Sequence, residues 1–235
     1  MISKIFSFFG YMIQKKKKMQ SLEAHLSIIL NKLNINLVLD VGANTGQFGS
    51  FLRSIGYKGQ IMSFEPCEES FTQLKEISKK DLKWAVNKQA LGESKSQKKI
   101  NIFNSSDLNS FLEVTDFGNK RFGERIKKNK TELLEITTLN EILKNSEFKN
   151  KNIFLKMDTQ GFDLNVFRGA NKNYHKILGL MSEIPIQNLY KSTKNYHDVL
   201  QEYENNGFQI TGMFPVSQNK DNNTIIEFDT VMIRI

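Results

Sequence analysis

After residue 35, short apolar runs alternate with longer segments whose apolar residues recur at helical spacing. Runs of about four to eight apolar residues bounded by turn residues are typical of buried strands. The predicted strands are residues 36–41, 60–64, 83–87, 98–103, 152–157, 177–184, 208–214 and 226–233. The predicted helices between them are residues 47–55, 71–78, 162–170 and 196–206. This alternation predicts an α/β fold with a mostly parallel sheet, helices on both faces and a terminal antiparallel strand pair.

The N-terminal segment has a helical pattern of its own. Residues 1–35 are predicted to be a helical extension, and residues 36–235 the main domain. Apolar residues recur at helical spacing over 2–13, and a run of four lysines follows. For residues 1–19 two interpretations stay open: an interfacial helix attracted to anionic lipid, or a helix packed on its own domain or on a partner subunit. A second helix is predicted over 21–33.

The segment 107–130 is the exception to the alternating pattern. It has no clear period and contains six basic side chains. A long unpatterned insertion in an α/β domain is typically a lid or a mobile loop. A role in binding a substrate and a simple solvated loop are both compatible with its sequence.

The net positive charge of the chain is weaker evidence for a nucleic-acid partner than its magnitude suggests. A net charge of +8, from 33 basic and 25 acidic residues, invites a nucleic-acid interpretation. Residues 1–35 hold six lysines and one acid, which leaves +3 for the other 200 residues. Arginine, the better reader of phosphates and bases, is scarce. We therefore expect no nucleic-acid partner.

Two further absences in the sequence bear on location. No apolar run approaches the about 20 residues that cross a bilayer. A single cysteine, Cys67, excludes an intramolecular disulfide framework. We expect a cytoplasmic protein, with peripheral membrane attachment through residues 1–19 as the alternative.

The strongest motif is the sequence DVGANTG at residues 40–46, which lies between a predicted strand and a predicted helix. Glycines there permit a tight turn and a close approach of the backbone to a ligand, at the carboxyl edge of the sheet where ligands bind. Glu65 lies at the end of the second strand, where a carboxylate can accept hydrogen bonds from both hydroxyls of a ribose. The two features together predict a site for a cofactor that carries a nucleoside.

The spacing of this motif distinguishes between two cofactors. A dinucleotide-binding turn has the pattern GxGxxG and leaves a helix N-terminus open for a pyrophosphate. Here Asn44 replaces the middle glycine, and the acidic Asp40 would repel a pyrophosphate. S-Adenosylmethionine has a ribose, an ammonium and a sulfonium but no phosphate. The motif therefore favours S-adenosylmethionine over a nicotinamide dinucleotide.

Seven segments of the sequence resemble the FkbM-type methyltransferase family. They are LDVGANTGQFGSFLRSIGYKG (39–59), SFEP (63–66), VNKQALGE (86–93), ITTLNEIL (136–143), LKMDTQGFDLNVFRGA (155–170), SEIPIQNLY (182–190) and FDTVMI (228–233). The resemblance covers nearly the whole chain after residue 35. It implies a Rossmann-like class I fold and methyl transfer from S-adenosylmethionine, commonly to a hydroxyl of a sugar, a glycan or another small metabolite.

The resemblance also implies roles for particular residues. By position, the residues that would bind the cofactor are Asp40, Gly42, Asn44, Gly46 and Glu65, with Asn87 near the adenine. Many members of the family have Val-Glu where this chain has Thr159-Gln160. Because Gln160 cannot act as a base, a catalytic acid at that position is excluded here.

Methyl transfer to a hydroxyl needs a base at the carboxyl edge of the sheet. Asp158 follows the strand 152–157, and Glu183 ends the next one, so both are candidate catalytic residues. Such a pair suits a shared proton, which raises one pKa, and it also suits a divalent cation. The alternatives are that Asp158 caps the following helix and that Glu183 pairs with a lysine. His175 and His197 are weaker candidates for the base.

Two other functional classes remain. The first is a nucleic-acid methyltransferase. Enzymes that methylate base amino groups place a polar-Pro-Pro-aromatic turn after the fourth strand, and this chain has residues 158–161, DTQG, there. The second is a non-enzymatic α/β domain that binds a dinucleotide.

Overall fold

The structure, a computed structural model, describes residues 21–235. The seven strands of the central sheet are β1 (Leu37–Val41), β2 (Gln60–Phe64), β3 (Trp84–Asn87), β7 (Ile153–Met157), β8 (Ile177–Pro185), β9 (Phe208–Gln218) and β10 (Ile225–Arg234). They lie in the order β3-β2-β1-β7-β8-β10-β9. The first five in spatial order pair in parallel, whereas β10 runs antiparallel to β8 and β9. The predicted mostly parallel sheet with a terminal antiparallel pair is confirmed.

Helices cover both faces of this sheet. The α-helices within residues 21–235 are α1 (Leu22–Lys32), α2 (Gln47–Ser54), α3 (Glu68–Ser78), α4 (Asp116–Phe122), α5 (Leu139–Leu143), α6 (Asp163–Arg168) and α7 (Tyr196–Asn205). Of these, α4 packs in a separate hydrophobic cluster. Helices α1, α2 and α3 share one hydrophobic core with Val38 and Phe154. Helices α5, α6 and α7 share the other with Leu39 and Leu155. Successive residues of a strand point to opposite faces, so β1 and β7 are buried on both sides and read as continuous apolar runs.

Helix α1 confirms the helix predicted over 21–33. The side chain of Ser21 caps its N-terminus by accepting a hydrogen bond from the backbone N–H of Ala24 at 3.3 Å. Its buried face, which includes Leu26, Ile29 and Leu30, belongs to the core of the sheet. The proposed contact through residues 1–19 lies outside the described residues. No helix within residues 21–235 has the length and apolar character needed to cross a bilayer.

A second, three-stranded sheet corrects two predictions. It has the order β4-β6-β5, with β4 (Ala90–Leu91), β5 (Ser96–Phe103) and β6 (Lys128–Thr137). The predicted strand 98–103 therefore belongs to this sheet and not to the central one. The segment 107–130 is also more ordered than predicted, because it contains α4, flanking 3₁₀ turns and the start of β6. The first half of β6 is exposed on both sides, so it pairs through its backbone while lacking the alternating pattern that reveals a strand.

Candidate active site

A cavity of about 500 Å³ lies beyond the carboxyl ends of β1, β2, β7 and β8. This volume is within the usual range for small-molecule sites. Among the residues predicted to bind cofactor, Gly42, Asn44 and Glu65 line it, and so do the predicted catalytic residues Asp158 and Glu183. The structure thus brings together residues from four separate strand ends.

The glycine turn forms the floor of the cavity. The backbone N–H groups of Gly42 and Ala43 both donate to the carbonyl oxygen of Phe64, at 3.0 and 3.1 Å. Gly42 has φ +76°, and a Cβ atom there would lie 2.0 Å from the carbonyl oxygen of Asp158. Only glycine satisfies both constraints, so this turn holds the ends of β1, β2 and β7 against one another.

Glu65 holds the glycine turn in place through hydrogen bonds to its carboxylate oxygens. One carboxylate oxygen, Oε2, accepts from the backbone N–H of Asn44 at 2.9 Å, and the other, Oε1, accepts from that of Cys67 at 2.9 Å. Burial raises the pKa of Glu65, although these two N–H groups oppose the shift. A carboxylate has about four acceptor positions. Glu65 therefore retains acceptor capacity for ligand hydroxyls while it shapes the turn.

Three residues predicted to bind cofactor do not line the cavity. Asp40 is fully buried beneath the turn, where its Oδ2 accepts from Ser63 Oγ at 2.9 Å. Gly46, with φ +93°, precedes the first residue of α2. Asn87 contributes its backbone carbonyl, which accepts from the N–H of Glu65 at 3.1 Å. These three residues therefore lie outside the cavity lining. Residues 89–91 form part of the lining beside Glu65.

Lys156 is the charged partner of Asp40 beneath the turn. Its Nζ lies 3.1 Å from Asp40 Oδ1, 3.6 Å from Asp158 Oδ2 and 3.0 Å from the carbonyl oxygen of Gly42. Burial alone would lower the pKa of Lys156, but Asp40 and Asp158 outweigh it and raise the pKa. The charge of Asp40 is therefore neutralised within the protein. A lone lysine in a buried apolar strand is the sequence signal for such a pair.

Gln160 bridges the two predicted catalytic carboxylates. Its Nε2 donates to Asp158 Oδ1 at 3.0 Å and to Glu183 Oε2 at 3.3 Å. Its Oε1 accepts from Tyr190 Oη at 3.0 Å. The following helix α6 is preceded by Phe162, and Asp163 accepts from the backbone N–H of Thr159. Asp158 is thus not a helix cap, and Glu183 is paired with an amide and not with a lysine.

Asp158 and Glu183 interact electrostatically as expected for adjacent carboxylates. Burial raises the pKa of Glu183 well above its ordinary value, and the negative charge of Asp158 and a hydrogen bond to it raise that pKa further. The raised pKa of Glu183 favours its protonated form, while Asp158 Oδ2 lies 3.6 Å from Lys156 Nζ.

Asp229 is a third carboxylate in this region, and it was not singled out in the sequence. It lies in β10 directly opposite Glu183 of β8 and lines the same cavity. Burial and then the negative charge of Asp158 raise the pKa of Asp229, Lys156 opposes them, and the net pKa is about 7. An acid in the middle of an apolar strand, EFDTVMI, is the signal that identifies it.

A short strap formed by residues 106–111 closes one side of the cavity. Ser106 Oγ donates to Asn44 Oδ1 at 3.1 Å, and Ser110 Oγ donates to the carbonyl oxygen of Gln160 at 2.7 Å. Tyr190 Oη lies 2.8 Å from the carbonyl oxygen of Leu108. The first part of the 107–130 segment therefore borders the site, whereas its basic residues do not line it.

The remaining candidates for chemistry lie elsewhere or are inert. His175 and His197 are not among the residues that line the cavity. Cys67 lines it, but burial and then Glu65 raise the pKa of its thiol, so it is a poor nucleophile. Within residues 21–235, no group of three or more His, Cys, Asp or Glu side chains is arranged to hold a metal ion.

Several solved structures are similar to this chain. A putative methyltransferase from Thermobifida fusca YX has a TM-score of 0.50 and 9% identity, over 91% of this chain and 78% of that one. Magnesium protoporphyrin IX methyltransferase from Synechocystis PCC 6803, crystallised with S-adenosylmethionine, has a TM-score of 0.49 and 10% identity, over 94% and 79%. The methyltransferase domain of bacterial CtHen1-C has a TM-score of 0.49 and 11% identity, over 92% and 97%. No curated protein matches the sequence significantly.

The sheet order and the glycine turn beside Glu65 define a class I methyltransferase fold, the class that uses S-adenosylmethionine. Residues 40–210 match the family model of the Methyltransferase FkbM domain. The chain therefore belongs to the FkbM methyltransferase family, as the sequence resemblance implied.

Proposed function

We propose that the protein transfers a methyl group from S-adenosylmethionine to a hydroxyl of a small acceptor, such as a sugar, a glycan unit or another small metabolite. The observation that carries this proposal is that one cavity contains both the turn at Gly42 with Glu65 and the carboxylates Asp158, Glu183 and Asp229. The first group suits the ribose of the cofactor. The second suits removal of a hydroxyl proton.

The residues around Glu65 support S-adenosylmethionine as the cofactor. Glu65 has acceptor capacity left after its two backbone hydrogen bonds. The acids that line the cavity, Glu65 and Asp158 among them, disfavour a pyrophosphate and therefore a dinucleotide. S-Adenosylmethionine supplies the electrophilic methyl group, and alignment of that group with the acceptor is what the cavity walls contribute to the rate.

The charge of the cavity supports a neutral or cationic acceptor. Six acidic residues and one basic residue, Lys156, are among its lining residues. The acids are Glu23, Glu65, Asp107, Asp158, Glu183 and Asp229. Lys156 is already paired with Asp40. An acceptor bearing phosphate near the reacting hydroxyl would be repelled, which also weighs against a nucleic-acid acceptor.

Turnover with labelled S-adenosylmethionine tests the proposal. The acceptor panel contains neutral sugars, amino sugars, nucleotide sugars, lipid-linked glycans and an RNA oligonucleotide, each with and without a chelator. We expect methylation of neutral or amino sugars and little of phosphate-bearing acceptors. Preferential methylation of RNA or of nucleotide sugars would contradict the proposed acceptor class.

A thermal-shift measurement tests the cofactor separately. A ligand at about 100 times its dissociation constant stabilises the protein by about 2.7 kcal/mol. We expect this gain with S-adenosylmethionine and none with NAD. Stabilisation by NAD alone would favour the dinucleotide-binding alternative. Cytoplasmic location and a membrane or subunit contact through residues 1–19 remain predictions.

A further inference from the structure

Asp229 is placed to touch an acceptor held above the carboxyl edge of the sheet. It lies opposite Glu183 in the antiparallel pair of β10 and β8 and lines the cavity. Directly opposite residues of neighbouring strands have Cβ atoms about 4.5–5.5 Å apart on the same face. Asp158 directly follows the adjacent strand β7, so carboxylates from three neighbouring strand positions line one cavity.

The other two carboxylates are already engaged. Gln160 Nε2 donates to both Asp158 Oδ1 and Glu183 Oε2, and Lys156 Nζ lies 3.6 Å from Asp158 Oδ2. The carboxylate of Asp229 makes no hydrogen bond or ion pair with any residue of the described chain. Its oxygens are therefore the ones available to a hydroxyl that enters the cavity.

We propose that Asp229 accepts the proton of the acceptor hydroxyl during methyl transfer, an inference that rests on the proposed function. The acceptor oxygen forms a bond to the methyl carbon as the carbon–sulfur bond breaks and its electron pair goes to sulfur. The hydroxyl proton moves to the Asp229 carboxylate. The products are the methylated acceptor, neutral S-adenosylhomocysteine and a protonated Asp229, so charge and atoms balance.

The electrostatic surroundings of Asp229 fit this role. Burial and the negative charges of Asp158, Asp163 and Glu227 raise the pKa of Asp229 to about 7, against the opposing charge of Lys156. Glu183 faces it from β8, and β9 contributes the uncharged Phe214 at the opposite position. A base is most effective when its pKa lies near the working pH. Asp158, in contrast, is already in contact with Lys156 and Gln160.

Steady-state kinetics of three variants test this assignment. For D229N we expect a loss of kcat of at least about 100-fold, the lower end for a general base, with an unchanged dissociation constant for S-adenosylmethionine. The acidic limb of the kcat profile, with a midpoint near pH 7 in the wild type, should disappear. D229E, which keeps a carboxylate, should retain the limb at reduced kcat. The control D221N removes an exposed acid of the same hairpin and should behave as the wild type.

The outcomes distinguish the two proposals. A wild type that neither binds S-adenosylmethionine nor methylates any acceptor overturns the proposed function. A wild type that turns over while D229N keeps more than half of its kcat and the acidic limb overturns only the role of Asp229.

A carbon-13 NMR titration of side-chain carboxyls provides a test that needs no acceptor. The resonance that is missing from D229N should titrate near pH 7 in the wild type. Titration of that resonance below pH 5 would overturn the assignment.

Discussion

The ammonium of Lys156 lies 3.1 Å from a carboxylate oxygen of Asp40, and the two side chains are 6% and 0% exposed. The two residues are directly paired in the register of β7 and β1. Asp40 also accepts a hydrogen bond from Ser63, and Ser63 accepts one from the indole N–H of Trp84. The Lys156–Asp40 ion pair is therefore the end of a chain of hydrogen bonds through the core. A buried ion pair of this kind is costly to break on one side only.

Replacement of Lys156 by methionine should therefore destabilise the protein by about 3–5 kcal/mol, because Asp40 is left as an uncompensated buried charge. The double variant K156M/D40N should lose less than the sum of the two single variants. The free energy of unfolding in urea measures both. The control K149M changes an exposed lysine and should alter it by less than about 0.5 kcal/mol. Additive losses would show that the two side chains are not coupled.

The backbone at Gly42 allows a second test of how the strand ends are held together. Gly42→Ala adds a Cβ at 2.0 Å from the Asp158 carbonyl oxygen, in a residue with φ +76°. Gly56→Ala is the matched control, since Gly56 has φ +90° and nothing within 4 Å of an added Cβ. The control should lose about 1–2 kcal/mol for its backbone conformation alone.

The loss for Gly42→Ala should exceed that of the control by about 1–3 kcal/mol, because Asp158 must move. Turnover should fall with it, whereas the control should keep its activity. Equal losses of unfolding free energy for the two variants would contradict the close approach of β1 and β7.

Hydrophobic pattern was sufficient to predict the central sheet, for a physical reason. Strands β1 and β7 are covered on both faces, so almost every residue must be apolar and the runs are visible in the sequence. The glycine turn and Glu65 were also predictable, because positive φ angles and ribose recognition restrict the residue type. Strand β6 was not, since its lysine-rich half buries neither face.

Two charged residues of the site were missed, although the predicted strands 152–157 and 226–233 include them. Lys156 and Asp229 each lie within an otherwise apolar strand, and their meaning depends on which strands are neighbours. That neighbourhood arises from the order β1-β7-β8-β10, which places residues far apart in the chain side by side. The local pattern of apolar and polar residues carries no information about which strands are neighbours.

Glu65 should control affinity for the cofactor. In Glu65→Gln one of the two carboxylate oxygens becomes an NH₂ group that faces a backbone N–H, of Asn44 or of Cys67. An unsatisfied buried donor costs about 1–3 kcal/mol. When this cost falls on the cofactor-bound state, affinity for S-adenosylmethionine decreases by about 5- to 150-fold. Calorimetric titration with S-adenosylmethionine measures it. Glu68→Gln, an exposed glutamate three residues further on, is the control, and equal affinities for both variants would contradict the assignment.

Two substitutions of Gln160 should distinguish the loss of a hydrogen bond from the addition of a negative charge beside Asp158 and Glu183. Gln160→Met removes the donor to Asp158 and Glu183, and we expect a loss of about 1–3 kcal/mol that varies little with pH. Gln160→Glu places a third acid between them and raises the pKa of its neighbours. A raised carboxyl pKa gives stability that is present at low pH and is lost as the pH rises.

The glutamate variant should therefore be destabilised more at pH 8 than at pH 5, relative to the methionine variant. Urea unfolding at the two pH values measures this difference. The same loss at both pH values would indicate that the carboxylates do not interact across position 160.

Asp229 should reveal its environment through the pH dependence of folding stability. Its pKa rises from an ordinary value of 3.8 to about 7 in the folded protein, chiefly through burial. The folded state thus binds a proton that the unfolded state releases between these values, so stability is present below about pH 4 and is lost as the pH rises to 7. Asp229→Asn removes this loss.

The variant should be more stable than the wild type at pH 8, by up to about 4 kcal/mol at about 1.36 kcal/mol per pKa unit. That gain should shrink towards zero at pH 4, and Asp221→Asn should show no such trend. Urea unfolding at pH 4, 6 and 8 measures it. A residue whose replacement stabilises the fold but removes turnover is retained for chemistry, because packing alone would favour its loss. A variant that is equally destabilised at every pH would instead place Asp229 among the structural residues.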